Sequence, residues 1–144
     1  MVIGIVGSEA AKFTALGEIH AREKIRQEIE LDEVTKVVSG GCHLGGVDIW
    51  AIEIAKVFDK ETQVFLPEHL SWEYYKKRNL QIVAASDLVV CVTVDRLPDN
   101  FSGMRFDFCY HCGSREHVKS GGCWTMKQAK LHGKQGELVV VENL

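Results

Sequence analysis

One stretch of the chain sets the fold, because an apolar run leads through glycines into a helical pattern: VTKVVSGGCHLGGVD, residues 34–48. The β-branched residues of Val34–Val38 predict a buried strand. Apolar residues recur at helical spacing from Val47 onward and predict a helix. A glycine-rich turn between them lets a ligand approach the backbone and directs free N–H groups of the first helical turn at one point. That point favours an anion, above all phosphate.

A second Gly-Gly turn, Ser120–Thr125, also stands before a helical pattern. The first loop has no Gly-Lys-Ser/Thr after it, and its spacing does not fit G-x-G-x-x-G, so neither common phosphate motif is present. A plain reversal of the chain is the alternative interpretation. However, four glycines in seven residues, 40–46, exceed what a turn needs. Two such loops in one small domain indicate a nucleotide-like ligand held between them.

Apolar strands alternate with amphipathic helices along the chain. The strands are continuously apolar, which is typical of a parallel sheet covered on both faces. The sequence therefore predicts one α/β domain over residues 1–144: a Rossmann-like, doubly wound, mainly parallel five-stranded sheet with helices on both faces. Ligands of such sheets bind beyond the carboxyl ends of the strands. The predicted strands are 2–7, 34–39, 62–66, 87–94 and 137–141, and the predicted helices are 13–29, 47–58, 71–85 and 122–131.

Composition bounds the possible functions. The chain has 144 residues, 46% hydrophobic and 26% charged, and a net charge of −3. These values are ordinary for a soluble domain and give no general attraction to nucleic acid or to an anionic membrane. No apolar run is long enough to span a bilayer. Met1 leads directly into a strand-like segment without a basic leader, so we expect a cytoplasmic protein.

A cysteine- and histidine-rich segment ends the long connection at residues 95–119. The spacing Cys109-x2-Cys112-x4-His117-x5-Cys123 is typical of structural zinc. A closed set of three thiolates and one imidazole would hold the loop without an open catalytic position. The alternatives are small buried cysteines with surface histidines, or a Cys123 that serves the ligand loop instead of a metal. His111 could also displace one of the four ligands.

Three stretches together resemble a known family. They are Ser39–Lys56 with its two Gly-Gly pairs, Tyr75–Val90 with Arg78-Asn79, and Ser120–Ala129 with the last Gly-Gly turn. Their order resembles the signatures of the SLOG superfamily, which includes DprA-like proteins, YpsA-like proteins and LOG phosphoribohydrolases. The resemblance covers nearly the whole chain. It implies a Rossmann-like fold, often dimeric, that binds nucleotides or nucleotide-derived ligands.

The chain departs from the LOG enzymes in the last loop. Those enzymes carry P-G-G-x-G-T-x-x-E there, and its glutamate serves cleavage of an N-glycosidic bond. The glutamate position falls on Gln128 in this chain. A glutamine can neither donate nor accept a proton as a carboxyl group does. The resemblance therefore supports binding, as in a sensor, over hydrolysis; Glu9, Glu18 or Glu53 could replace the missing acid.

Candidate ligand contacts follow from the two loops and from the resemblance. The planar guanidinium of Arg78 suits a phosphate. Asp48 either accepts a ribose hydroxyl or complements the dipole of its helix. Trp124 could stack on a base, and Thr125 could cap the last helix or donate to the ligand. The full candidate set is Gly7, Ser8, Ser39, Gly40, Gly41, Gly45, Gly46, Asp48, Arg78, Asn79, Gly121, Gly122, Trp124 and Thr125.

Two further interpretations stay open. A zinc-stabilised nucleic-acid module could use Arg105, Arg115 and Lys119 as a small basic patch, although the acidic net charge argues against it. An exposed face of helix 13–29 or helix 47–58 could form a homodimer. The sheet beneath these helices explains their amphipathicity equally well.

Overall fold

The predicted elements are present in the predicted order in the computed structural model, which describes residues 1–106 and 108–144. Asp107, in the predicted long loop, lies outside the described residues. A short 3-10 turn, Ala10–Lys12, follows the first strand. The strands are β1 (Val2–Gly7), β2 (Lys36–Ser39), β3 (Glu61–Val64), β4 (Leu88–Val94) and β5 (Gln135–Val141), and the helices are α1 (Ala15–Ile29), α2 (Val47–Val57), α3 (Trp72–Ala85) and α4 (Gly121–Leu131).

The five strands form one sheet in the order β3-β2-β1-β4-β5, and every pair is parallel. The chain starts in the centre, runs to one edge through β2 and β3, and then returns to the other side of β1 through β4 and β5. The sheet is therefore doubly wound, with its switch point between β1 and β4, and a crevice is expected there. The predicted Rossmann-like α/β fold is confirmed.

Two hydrophobic cores lie on opposite faces of the sheet. Helices α1 and α2 pack on one face and helices α3 and α4 on the other. Successive side chains of a strand point to opposite faces, so Ile3 and Ile5 enter the first core while Val6 enters the second. Because both faces are covered, the central strands are apolar throughout.

Helix α1 begins two residues after its predicted start. The hydroxyl of Thr14, at the N-cap, accepts a hydrogen bond from Gly17 N at 3.0 Å and donates to Asn143 Oδ1 at 2.9 Å. Phe13 stays extended and packs edge-on against Trp50 at 4.9 Å between ring centroids. A threonine cap and its partner near the carboxyl terminus thus fix the start of the helix.

The long connection between β4 and α4 forms neither helix nor strand in residues 95–106 and 108–120. Backbone hydrogen bonds between Cys109 and Ser114, at 2.8 and 3.1 Å, close a tight turn within it. Val118 N donates to Val94 O at 2.9 Å and ties the segment back to β4. Among the described helices, none has the length and apolar character needed to cross a bilayer.

Candidate functional site

A cavity of about 630 Å³ lies beyond the carboxyl ends of β1, β2 and β3, against the start of α4. Both predicted glycine loops contribute to its wall. Another side is formed by residues 109–119, which carry three of the four predicted metal ligands and are called the metal-type segment below. Tyr110 and Lys119 of this segment line the cavity. The cavity is therefore at the edge of the sheet where the topology places a ligand site.

The first glycine loop is shaped by three glycines in the left-handed region: Gly41 (φ 59°), Gly45 (φ 73°) and Gly46 (φ 92°). Residues with a Cβ rarely adopt this conformation. At Gly46 a Cβ would also lie 2.4 Å from Ser8 O. Val47 N donates to Ser8 O at 3.2 Å, so the start of α2 is fixed to the end of β1.

The second glycine loop is built by a helix cap. Ser120 is the N-cap of α4, and its hydroxyl accepts from Gly122 N at 3.1 Å. A Cβ at Gly122 would lie 2.9 Å from Cys91 Sγ and 3.1 Å from Gly7 N, whereas a Cβ at Gly121 would meet only Trp72, at 3.8 Å. The role of cap therefore belongs to Ser120 and not to Thr125, whose hydroxyl donates to Gly121 O at 3.4 Å.

Arg78 of α3 reaches across to the first glycine loop. Its Nη1 donates to the carbonyl oxygen of Gly40 and, at 3.3 Å, to that of Phe65, and its Nε donates to Asn79 Oδ1 at 2.7 Å. The guanidinium is thus held in one orientation at the cavity wall. At Gly40 a Cβ would lie 2.6 Å from Arg78 Nη1 and 2.8 Å from Asp48 Oδ2, so this glycine makes room for both groups.

Asp48 is a buried carboxyl group at the cavity. Burial raises its pKa to about 6, although Arg78 nearby and the hydrogen bond from Cys42 N oppose that rise. Cys42 N lies 3.3 Å from Asp48 Oδ2. At neutral pH the group is a carboxylate within reach of a ligand, and in mild acid it becomes neutral.

Lys12 is a cavity residue that the sequence analysis missed. Its Nζ donates to Lys119 O at 3.3 Å. Burial lowers its pKa, and the charge of Lys119 lowers the pKa further, against an opposing effect of Glu9. The position of Lys12 shortly after β1 was the only sequence signal, and the residue fell just before the predicted first helix.

Aromatic rings form the rim of the cavity. Trp72 and Tyr110 line it with 44% and 54% of their surface exposed, and Tyr75 lines it beside Arg78. None of the three was among the predicted contacts. Two of them come from α3, whose first turns lie over the cavity, and Tyr110 comes from the metal-type segment.

The predicted contacts divide into those that line the cavity and those that support it. Ser39 donates its hydroxyl to Ile5 O at 2.7 Å, and the Trp124 ring packs edge-on against Trp72 at 5.7 Å. Cavity-lining residues from the predicted set are Gly7, Ser8, Gly41, Asp48, Arg78, Asn79, Gly121, Gly122 and Thr125, while Ser39, Gly40, Gly45, Gly46 and Trp124 lie outside the lining.

The residues considered as the acid for bond cleavage lie in different parts of the molecule. Glu9 lines the cavity. Glu18 and Glu53 form ion pairs with Arg22, at 2.9 and 3.3 Å, on the α1–α2 face. Gln128 lies on α4 outside the lining. Of the carboxylates proposed to replace the glutamate of the LOG enzymes, only Glu9 reaches the cavity among the described residues.

The four predicted metal ligands converge beside this cavity. The ligand atoms of Cys109, Cys112, His117 and Cys123 all lie within 4.8 Å of one another. Nδ1 of His117 lies 3.0 Å from Val118 O, and its Nε2 is buried without a hydrogen-bond partner among the described residues. A ring nitrogen fixed by a backbone carbonyl, with the other nitrogen turned into a sulfur cluster, is the usual arrangement of a metal ligand. The cluster can hold a metal ion.

Burial, hydrogen bonds and neighbouring sulfurs shift the pKa values of the three thiols in different directions. Burial alone raises the pKa of Cys109, but N–H groups of Cys112 and Ser120 bond to its sulfur and lower the pKa below its usual value. Burial and the Cys123 sulfur raise the pKa of Cys112 to about 12. The contact with Cys91, together with burial, raises the pKa of Cys123. Three thiolates become stable together when a cation balances them.

The three basic residues weighed for nucleic-acid binding are each held within the chain. Arg105 Nη1 lies 3.4 Å from the carbonyl oxygens of Pro98 and Phe101. Arg115 stacks over the Phe108 ring at 5.4 Å. Lys119 lies over the rings of Phe106 and Tyr110, at 5.2 and 5.4 Å. Arg115 and Lys119 thus cover aromatic rings of the same segment, and Arg105 is bonded to backbone carbonyls.

Comparisons with known proteins give a fold and no family name. No protein-family model matches the chain, and no curated protein matches it. The molybdenum cofactor carrier protein of Chlamydomonas reinhardtii is similar with a TM-score of 0.59 and 18% identity, over 96% of this chain and 74% of that one. DNA processing protein A (DprA) of Streptococcus pneumoniae is similar with a TM-score of 0.57 and 15% identity, over 96% of this chain and 49% of that one. This chain thus spans about half of DprA. At these identities both likenesses show the fold alone, and that fold is the Rossmann-like one predicted from the sequence.

Proposed function

We propose that this protein binds a nucleotide or nucleotide-derived ligand in the cavity between the two glycine loops. The observation that carries the proposal is the shared wall: the N-terminal turn of α4, the first glycine loop and Arg78 all face one space of about 630 Å³. That volume lies within the range of ordinary small-molecule sites. The positive ends of helices and a fixed guanidinium suit a phosphate group.

The charges of the wall support an anionic ligand. Arg78, Lys12 and Lys119 supply three cationic groups, and Asp48 and Glu9 supply two acidic ones. The Asp48 carboxyl group, with its pKa raised to about 6, is partly compensated by Arg78. A phosphate would sit on the basic side of this wall, and a ribose hydroxyl would suit the carboxylates.

The aromatic rim supports a ligand with a flat ring. Trp72 and Tyr110 are exposed at the cavity although aromatic side chains of this size are usually buried. A base placed between such rings gains stacking on every type of base, on the order of 1–3 kcal/mol. The names of the similar structures agree with this proposal in outline: one is a carrier of the molybdenum cofactor, and the other is a DNA processing protein.

A thermal-shift screen tests the proposal. The zinc-loaded protein is heated with nucleotides, nucleoside monophosphates and cyclic ADP-ribose-like compounds. A ligand at 100 times its Kd stabilises the folded state by about 2.7 kcal/mol, which is a rise of roughly 8 °C in Tm for a chain of this size. Arg78→Ala should lose the shift, measured from the variant's own Tm.

Lys77→Ala is the matched control for that screen. Lys77 lies on the same helix, carries the same charge and is exposed outside the cavity lining. Its removal should leave the shift unchanged. Absence of any shift across the phosphate-bearing panel would count against the proposed function, and equal loss in both variants would place the ligand elsewhere.

We also propose that the cysteine–histidine cluster holds a structural Zn²⁺. Three sulfurs and one imidazole are a donor set that zinc accepts in closed tetrahedral sites. His111 also has a buried Nε2 without a partner among the described residues, but only the His117 ring is grouped within 4.8 Å of the three sulfurs, and this grouping favours a metal over four packed side chains. Cys112 would give its thiolate from the half-exposed side, and the other three ligands are buried.

Metal analysis after zinc loading tests this part. We expect one zinc per chain, and its loss in His117→Ala. Cys42→Ala is the matched control, since Cys42 is a free cysteine outside the cluster. A zinc content that is the same in both variants, or no zinc at all after loading, would contradict the assignment.

Cleavage of an N-glycosidic bond is a second candidate because Asp48 and Glu9 share the cavity. A carboxyl group with a pKa near 6 is mostly ionised at neutral pH and suits a general base there, or a general acid in mild acid. Release of free base from bound nucleoside monophosphates tests this candidate. If Asp48→Asn abolishes release but retains binding, the protein is a hydrolase; if the wild type releases none, it is a binding protein.

A further inference from the structure

A fifth sulfur touches the metal cluster without belonging to it. Cys91 of β4 is fully buried, and its Sγ lies 3.8 Å from Sγ of Cys123. Both are free thiols. The four grouped ligands already complete a tetrahedral set, so Cys91 is a spare thiol in contact with one of them.

We propose that Cys91 and Cys123 form an oxidation site whose disulfide excludes the metal. The two sulfurs need to approach by roughly 1.8 Å to reach the usual S–S length of about 2.05 Å. Cys123 is shared by the two arrangements. As a thiolate it binds the metal, and as a half of the disulfide it no longer supplies the negative charge that zinc needs.

Hydrogen peroxide is the class of oxidant that balances the step. Each sulfur loses one electron, the S–S bond forms, and the O–O bond of the peroxide takes both electrons and breaks. The proton of the Cys91 thiol and one proton from solvent complete two molecules of water. The metal leaves as the divalent cation, because only two thiolates and one imidazole remain.

The local backbone leaves the sulfurs open to one another. A Cβ at Gly122 would lie 2.9 Å from Cys91 Sγ, so glycine is what lets the β4 sulfur reach the start of α4. Ser120 Oγ lies 4.0 Å from the same sulfur. Ser120 and Gly122 both line the cavity, so a small oxidant in the cavity is close to this pair.

Oxidation would act on the cavity through the metal-type segment. Tyr110 and Lys119 line the cavity, and they follow Cys109 and His117 by one and two residues. Release of the metal removes the bonds that fix Cys109 and His117. The side of the cavity formed by Tyr110 and Lys119 then becomes less rigid. This consequence rests on the proposed function, whereas disulfide formation and metal release do not.

The test is a peroxide titration of the zinc-loaded full-length protein. Released zinc is followed with a chromogenic chelator, and disulfides are mapped by mass spectrometry of peptides without reduction. We expect a Cys91–Cys123 disulfide to appear in step with zinc. Cys91→Ala should retain zinc and release it about tenfold more slowly. If this variant folds poorly, Cys91→Ser supplies the same comparison.

Two results would overturn the proposal. One is a Cys109–Cys112 disulfide as the first product, since Cys112 is the more exposed sulfur. The other is equal release of zinc by wild type and the Cys91 variants. If nucleotides still raise the Tm of the reduced protein, the proposed ligand site stands even when either result is found. If the protein does not load zinc, the claim that the disulfide excludes a metal is overturned. The proposed ligand site is not affected by that result.

Discussion

The two Gly-Gly loops look alike in the sequence but need glycine for different reasons. In the first loop, Gly41, Gly45 and Gly46 all have positive φ, so the backbone conformation itself demands glycine. In the second loop, Gly121 and Gly122 start a regular helix, and only Gly122 is crowded. The first loop is therefore specified by its own residues, and the second by what packs against it.

The largest expected difference between the two loops is in the free energy of unfolding, and a matched pair of substitutions measures it. Gly46→Ala puts a Cβ 2.4 Å from Ser8 O at a φ of 92°, and we expect it to lower the free energy of unfolding by about 4 kcal/mol. Gly121→Ala meets only Trp72, at 3.8 Å, and should change it by less than about 0.5 kcal/mol. Urea unfolding measures both, and similar losses would remove the distinction.

The next prediction concerns the pH dependence of stability. It depends on the buried carboxyl group of Asp48, which follows the first glycine loop. Asp48 has its pKa raised to about 6 from 3.8. The folded state then binds more protons than the unfolded state between these values, so stability falls as pH rises through that window. The loss is about 3 kcal/mol at most. Stability measured from pH 4 to pH 7 should fall less in Asp48→Asn, and parallel curves for the two proteins would contradict the assignment.

A smaller change in stability is expected from crowding at Gly122 in the second loop. A double variant tests whether a side chain causes that crowding. Gly122→Ala would place a Cβ 2.9 Å from Cys91 Sγ, at a cost of about 1–2 kcal/mol. Removing that sulfur in the double variant with Cys91→Ala should recover about 1 kcal/mol as coupling between the sites. No such rescue is available at Gly46, where the clash is with backbone. Strict additivity in unfolding experiments would show that Gly7 N or Val6 Cγ2, both at 3.1 Å, and not the sulfur, is the obstacle.

Much of the fold could be read from the sequence because the strands are buried on both faces. Continuous apolar runs such as Leu88–Val94 predict a parallel sheet directly. The order of the elements then placed both glycine loops at the same edge. Boundaries were less certain, since a cap such as Thr14 depends on Asn143, far along the chain.

The candidate site was only partly readable. The sign of φ cannot be seen in a sequence, so the sequence predicts Gly45 and Gly46 as ligand contacts, and the structure shows that they shape the loop outside the cavity lining. Lys12 and Tyr110 reach the cavity through a 3-10 turn and a long connection, whose paths depend on tertiary packing. The spacing alone predicted the four residues of the cysteine–histidine cluster. The spacing predicted His117 and kept His111 as an alternative, and the structure groups His117 with the three cysteines.

Backbone amide NMR tests whether a phosphate-bearing ligand lies between the two loops. Adenosine monophosphate, with inorganic phosphate as a second probe, is added to the isotope-labelled, zinc-loaded protein. We expect the amides of Gly41, Cys42, Gly121 and Gly122 to shift together and saturate at one concentration, while those on the outer face of α1 stay unchanged. Shifts confined to one loop or to the α1–α2 face, or none at millimolar ligand, would contradict it.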